Sequence, residues 1–151
     1  MKSVNDYRPA HLTANGGFTL IEVMIVIVIV SVLLAVALPS YENSIQKGRR
    51  ADAKAALMDI ANQQEQFMLD QGTYTTNLAE LGFGVGPFYS PDGHYTVSAA
   101  ACSTSDITRC YTLTADPRAS SPQIDDLRCT EFVLESNGSK TADGTDQDNC
   151  W

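Results

Sequence analysis

An α+β fold, with one long N-terminal helix packed on an antiparallel sheet of three or four strands, follows from three features of the chain. Val23 to Leu38 is an apolar run interrupted by one polar residue, Ser31. Ser40 to Asp70 then spaces its apolar residues at helical intervals, which continues the helix in amphipathic form. Beyond residue 94, short stretches alternate apolar and polar at period two and are bounded by Gly, Asn and Asp, as strands are.

Composition narrows the function. The 151 residues include 18 acidic and 10 basic side chains, a formal charge of −8. From Gln71 onward, Arg109, Arg118, Arg128 and Lys140 stand against eleven acidic residues, a net of −7, which argues against nucleic acid as a partner of this part. Cys102, Cys110, Cys129 and Cys150 all lie in the C-terminal third, the arrangement of a region folded outside the reducing cytosol. Four cysteines allow three complete pairings. Cys102 with Cys110 and Cys129 with Cys150 are preferred because each closes a short loop, for about 2.5 to 3 kcal/mol apiece in chain-entropy terms.

Residues 1–17 are polar and contain Pro9 and Asn15-Gly16-Gly17, so they read as a leader. In a secretory signal the small residues follow the apolar segment, and cleavage discards it. Here they precede it. A cut after Gly17 keeps the apolar segment on the mature chain, beginning at Phe18; an uncleaved signal anchor is the competing reading. Residues 18–38 span about 31 Å as a helix, enough to cross a hydrocarbon core once. Lys2 and Arg8 on one side nearly balance Lys47, Arg49 and Arg50 on the other, so the cysteines decide the orientation and place the C-terminal part outside. Glu22 lies inside this stretch, where a charge near the bilayer centre costs about 2.5 to 3.5 kcal/mol, so it needs a partner or a purpose, which we read as assembly. Pro39 removes the bond to the carbonyl of Ala35, which predicts a kink or a melted turn there, or a helix end at Leu38.

Residues 39–71 form the amphipathic half. Ile45, Ala53, Leu57, Ile60, Ala61, Gln64, Phe67 and Met68 make the buried stripe, while Arg49, Arg50, Asp52, Lys54, Asp59, Asn62 and Glu65 occupy the other faces. Gly72 ends the helix. Residues 72–94, rich in glycine and aromatics, read as a connecting loop. Residues 95–151 carry the sheet: Tyr95-Thr96-Val97-Ser98-Ala99, Tyr111-Thr112-Leu113-Thr114-Ala115 and Glu131-Phe132-Val133-Leu134, with a hairpin turn at Asn137-Gly138. Trp151 reads as an apolar plug on a polar tail.

No catalytic group, metal site or cofactor is expected. His11 and His94 are far apart, and no nucleophile sits in a recognisable elbow. Asp143 to Asp148 lacks the spacing and final Glu of a calcium loop and reads as a solvated turn.

The stretch Gly16-Gly17-Phe18-Thr19-Leu20-Ile21-Glu22, continuing through Pro39-Ser40-Tyr41, resembles the prepilin cleavage site of the type IV pilin superfamily. Arg50 to Leu57, Gln64 to Phe67, Gly72 to Thr75, Leu81-Gly82 and Asn149-Cys150-Trp151 are similar to minor pilins of the PilE and ComP group. The resemblance implies the type IV pilin fold and a dedicated peptidase that cuts after Gly17 and methylates the new N-terminus of Phe18. It implies that Glu22 pairs with the N-terminus of a neighbouring subunit when the chain docks. It also implies a single-pass inner-membrane subunit with its C-terminal domain in the periplasm, which later enters an extracellular filament serving motility, adhesion or uptake. Partners implied are other pilins, major and minor, the prepilin peptidase, the assembly platform and, before assembly, lipid. A leader of seventeen residues is longer than is typical where the mature chain begins with Phe. A DNA-receptor pilin and a pseudopilin of a type II secretion system are the alternatives.

Overall fold

The structure is a computed structural model and describes residues 17–151; of the leader expected over residues 1–17, residues 1–16 lie outside the described residues. The chain divides into two compact units, one ending at Pro39 and the other covering Ser40–Trp151.

One helix, α1 (Leu20–Gln71), runs through both. Its hydrogen-bonded ladder continues through Pro39, so neither the melted turn nor the helix end at Leu38 occurs. The proline removes one bond, and the flanking turns keep theirs. At the other end Gly72, at φ +73°, donates its N–H to the carbonyl of Met68 at 2.9 Å. That left-handed residue closes the last turn as a glycine cap.

The sheet of the second unit has five strands rather than three or four: β1 (Phe88–Tyr89), β2 (Tyr95–Ala101), β3 (Tyr111–Pro117), β4 (Glu131–Glu135) and β5 (Lys140–Asp143). They pair antiparallel in chain order, a meander. β1 lies within the stretch expected to be loop. Two residues are too few to show a period, and in β5 Ala142 alone faces inward, so neither leaves a pattern to read.

Alternation in the strands builds the core. Tyr95 and Val97, Tyr111, Leu113 and Ala115, Phe132 and Leu134, and Ala142 are buried on one face of the sheet. Ala53, Ala56, Leu57 and Ile60 of α1, at spacings of three and four, join the same core, and Gln64, one turn further on, is buried with its amide bonded to the backbone of Thr75. Each large aliphatic side chain so buried contributes about 1.5 to 3 kcal/mol. Ala115, Phe132 and Ala142 stand side by side across β3, β4 and β5, where alanines leave room for the larger ring.

Arg50 and Asp52 differ from expectation, since both are buried rather than on an outward face. Arg50 forms a bidentate pair with Asp126, Nε and Nη2 each 2.7 Å from a carboxylate oxygen, and Gln123 donates to the same carboxylate at 2.6 Å. Asp52 accepts from Ser90 Oγ and from the backbone N–H of Asp92. Their partners lie far along the chain, and the stripe could not reveal them.

Two disulfides, Cys102–Cys110 and Cys129–Cys150, close the head, the pairing that short loops favour. Gly144 is required beside the second: at φ +131° a Cβ there would stand 2.1 Å from the carbonyl oxygen of Arg128. The β4–β5 turn places Gly138 at φ +84°, donating to Glu135 O at 2.9 Å. Trp151 packs edge-on against Phe132 and donates Nε1–H to Thr141 O at 2.6 Å, so the plug is hydrogen-bonded as well as apolar.

Candidate functional site

Gly17, Phe18 and Thr19 precede α1 in non-helical conformation. Thr19 Oγ1 accepts the N–H of Glu22 at 3.3 Å, and its carbonyl accepts that of Val23 at 3.3 Å. Thr19 is therefore the N-cap, with Glu22 three residues on, the Thr-x-x-Glu spacing of a capping box. A carboxylate in the first turn also complements the positive end of the helix. This capping role was missed at sequence level, although the spacing itself is legible there.

Every side chain from Phe18 to Leu38 is exposed, and from Val23 onward they make an apolar surface around the helix. Ser31, the polar exception, turns its hydroxyl back to the carbonyl of Ile27 at 2.7 Å. No donor is then left facing outward, which suits a helix in lipid or among other apolar helices. The helix is long and apolar enough to cross a membrane.

Three basic side chains of the second unit are each engaged singly. Arg118 lies 3.9 Å over the ring of Tyr89 and donates to Gly93 O, and Lys140 lies 5.3 Å over Trp151. Lys54 sits 5.8 Å over Phe132, and burial, with Arg50 and Lys140 nearby, lowers its pKa. Tyr74 and Tyr111 meet edge to face at 4.8 Å and both donate to Glu65.

On the sheet face turned away from the core, Asp116, Glu131 and Asp143 stand in one row across β3, β4 and β5. Like charges directly opposite are unfavourable. Partial burial, then Asp116 and Asp143, raise the pKa of Glu131 above the ordinary carboxylate value. The native state therefore holds its proton more tightly than the unfolded chain, and stability falls as pH rises from the ordinary value through the raised one. Glu131→Gln is expected to remove that slope and to raise the melting temperature at neutral pH. Melting curves between mildly acidic and neutral pH check this.

Residues 12–38 match a model described as "Prokaryotic N-terminal methylation motif", and residues 39–133 match one described as "Type IV minor pilin ComP, DNA uptake sequence receptor". The chain belongs to the type IV pilin superfamily, through the family that this second description names. It is 36% identical over 87 residues to the "Type IV major pilin protein PilA" of Myxococcus xanthus, covering 58% of this chain and 39% of that protein. To the "Type II secretion system core protein G" of Dickeya chrysanthemi it is 33% identical over 66 residues, 44% of this chain and 43% of that one. The chain thus spans less than half the length of each. A solved type IV pilin from Shewanella oneidensis aligns at a TM-score of 0.46 and 23% identity, covering 70% of this chain and 97% of that one. The methylation motif and the apolar helix together mark a membrane-anchoring N-terminus.

Proposed function

We propose that this chain is a minor pilin: a structural subunit held by α1 in the inner membrane, with the disulfide-bonded head in the periplasm, until it docks into a type IV pilus. The observation that carries the reading is an exposed apolar helix with Glu22 in its first turn, four residues from Phe18. Once the leader is cut after Gly17, the amine of Phe18 is a cation at helix level. The carboxylate of Glu22 is then its complement on a neighbouring subunit, inside a lattice of apolar helices where an unpaired charge is costly. Pro39 is the place where the helix yields as it packs. Other pilins, the prepilin peptidase and the assembly platform are the partners.

The test is recovery of the subunit in sheared pili, together with a count of surface pili after deletion of its gene. Loss of all pili makes it an essential or initiating subunit. Normal numbers with one lost behaviour make it a decorating one, and absence from pili refutes the proposal. Glycine before the scissile bond lets a protease approach bare backbone. Accordingly, Gly17 replaced by a bulkier residue is expected to leave the leader attached, seen as a larger band on a gel.

A second reading, a DNA-receptor pilin, is favoured by the family match over residues 39–133. The head's net charge opposes it, since phosphate binding draws on a basic surface. Retention of duplex DNA by the protein on filters at low salt decides between them. The similarity to a type II secretion system core protein supports a third placement, a pseudopilin, which neighbouring genes for pilus or secretion machinery separate.

A further inference from the structure

The two edges of the sheet are treated differently. β5 is short, carries Lys140, and has Trp151 bonded to its Thr141, all devices that discourage another strand from pairing there. β2 is seven residues long, yet β1 covers only Thr96 and Val97 of it. Ser90 N–H bonds Tyr95 O across the β1 side, so Tyr95 and Val97 point their backbone groups toward β1, and by alternation Ala99 and Ala101 do the same. Among the described residues nothing bonds those groups. Ser98 to Ala101 offers an uncharged edge with no proline.

The chain just before β1 stands beside this edge without lying on it. Phe83 and Phe88 clasp edge to face at 4.7 Å, and Gly84 at φ +83° and Gly86 at φ +116° curl the segment between them away. Val85 at its tip is 99% exposed. A groove of about 230 Å³ lies between the two, lined by Gly84, Gly86 and Pro87, by Ser98 and Ala99, and also by the turn from Thr76 to Ala79.

We propose that residues 84–87 are a latent extension of β1, a strap that closes on the free edge of β2 when Phe83 leaves Phe88. The existing register fixes how it would lie. Phe88 faces Val97 and Tyr89 faces Thr96, so Pro87 meets Ser98, Gly86 meets Ala99, Val85 meets Ala100 and Gly84 meets Ala101. Gly86 and Gly84 fall where an N–H is needed. Pro87 falls where none is, because Ser98 points its backbone groups toward β3. Both glycines adopt the curled and the extended conformation with little penalty, and neither has a neighbour that a Cβ would strike. Full closure and the aromatic clasp exclude each other, which gives two discrete arrangements. Open, the backbone groups of Ala99 and Ala101 are left unpaired; closed, residues 84–87 satisfy them. This goes beyond the assembly role and does not depend on it.

Amide hydrogen exchange of the full chain in detergent micelles tests the strap. Gly84→Ala with Gly86→Ala penalises the positive φ of the open arrangement, and Phe83→Ala removes the clasp. Both are expected to slow exchange at Ala99 and Ala101 severalfold relative to the wild-type chain, independently of protein concentration. Val85→Cys with Ala100→Cys should give a new disulfide within one chain under mild oxidation, because these positions form a closely spaced, non-hydrogen-bonded pair in the closed register. Unchanged exchange in both variants, slowing that grows with concentration, or a link formed only between chains would overturn the proposal. The last two results would assign the edge to a second copy.

Discussion

Glu22→Ala is expected to leave insertion and leader removal intact while reducing the subunit in sheared pili by about tenfold or more. Tenfold corresponds to about 1.4 kcal/mol, less than the cost of an unpaired charge among apolar helices. Alanine keeps the backbone N–H that Thr19 Oγ1 accepts, so this substitution removes together the Glu22 side chain at its capping-box position and its negative charge. Glu22→Gln separates them. Glutamine completes a capping box as glutamate does, but carries no charge. Equal loss with Gln and Ala, measured by immunoblot of sheared pili against membrane-held subunit, assigns the effect to pairing. Rescue by Gln assigns it to the helix start, and normal recovery of both variants removes Glu22 from assembly.

The second large effect belongs to the head. Arg50→Ala is expected to destabilise it by about 3 to 5 kcal/mol, because the buried carboxylate of Asp126 loses its bidentate partner and keeps only its bonds to Gln123 and to the backbone of Arg128. Removing both charges together, as Arg50→Met with Asp126→Leu, should recover most of the loss, since a buried pair replaced by packed apolar groups is often neutral or better. Urea unfolding of the three variants and the wild-type chain provides the comparison. Destabilisation of the double variant as deep as that of Arg50→Ala would mean that the pair contributes more than the relief of burying one charge alone.

What the sequence made legible was local or periodic. The apolar run, the stripe ending at Gly72, the central strands and the short disulfide loops each announce themselves within a few residues of their own position. Arg50 and Asp52 did not, because their burial is decided by Asp126, Gln123, Ser90 and Asp92, brought close only by the folded chain. Flanked by Arg49 and Lys54, they read as one polar face. β1 and β5 were invisible for a related reason: pairing to a neighbouring strand makes them strands, while their own few residues carry no period. Thr19 was the reverse case, a spacing present in the chain and overlooked beside the more conspicuous Glu22.

The meander has a consequence for the order in which the strands can assemble. Each strand of the head pairs with the strand next to it in the chain, so the sheet can grow by adding one hairpin at a time. A topology of this kind does not wait for distant segments to find each other. Cys102 with Cys110 and Cys129 with Cys150 join segments that this sheet itself brings together, so the folded head selects one of the three alternative pairings.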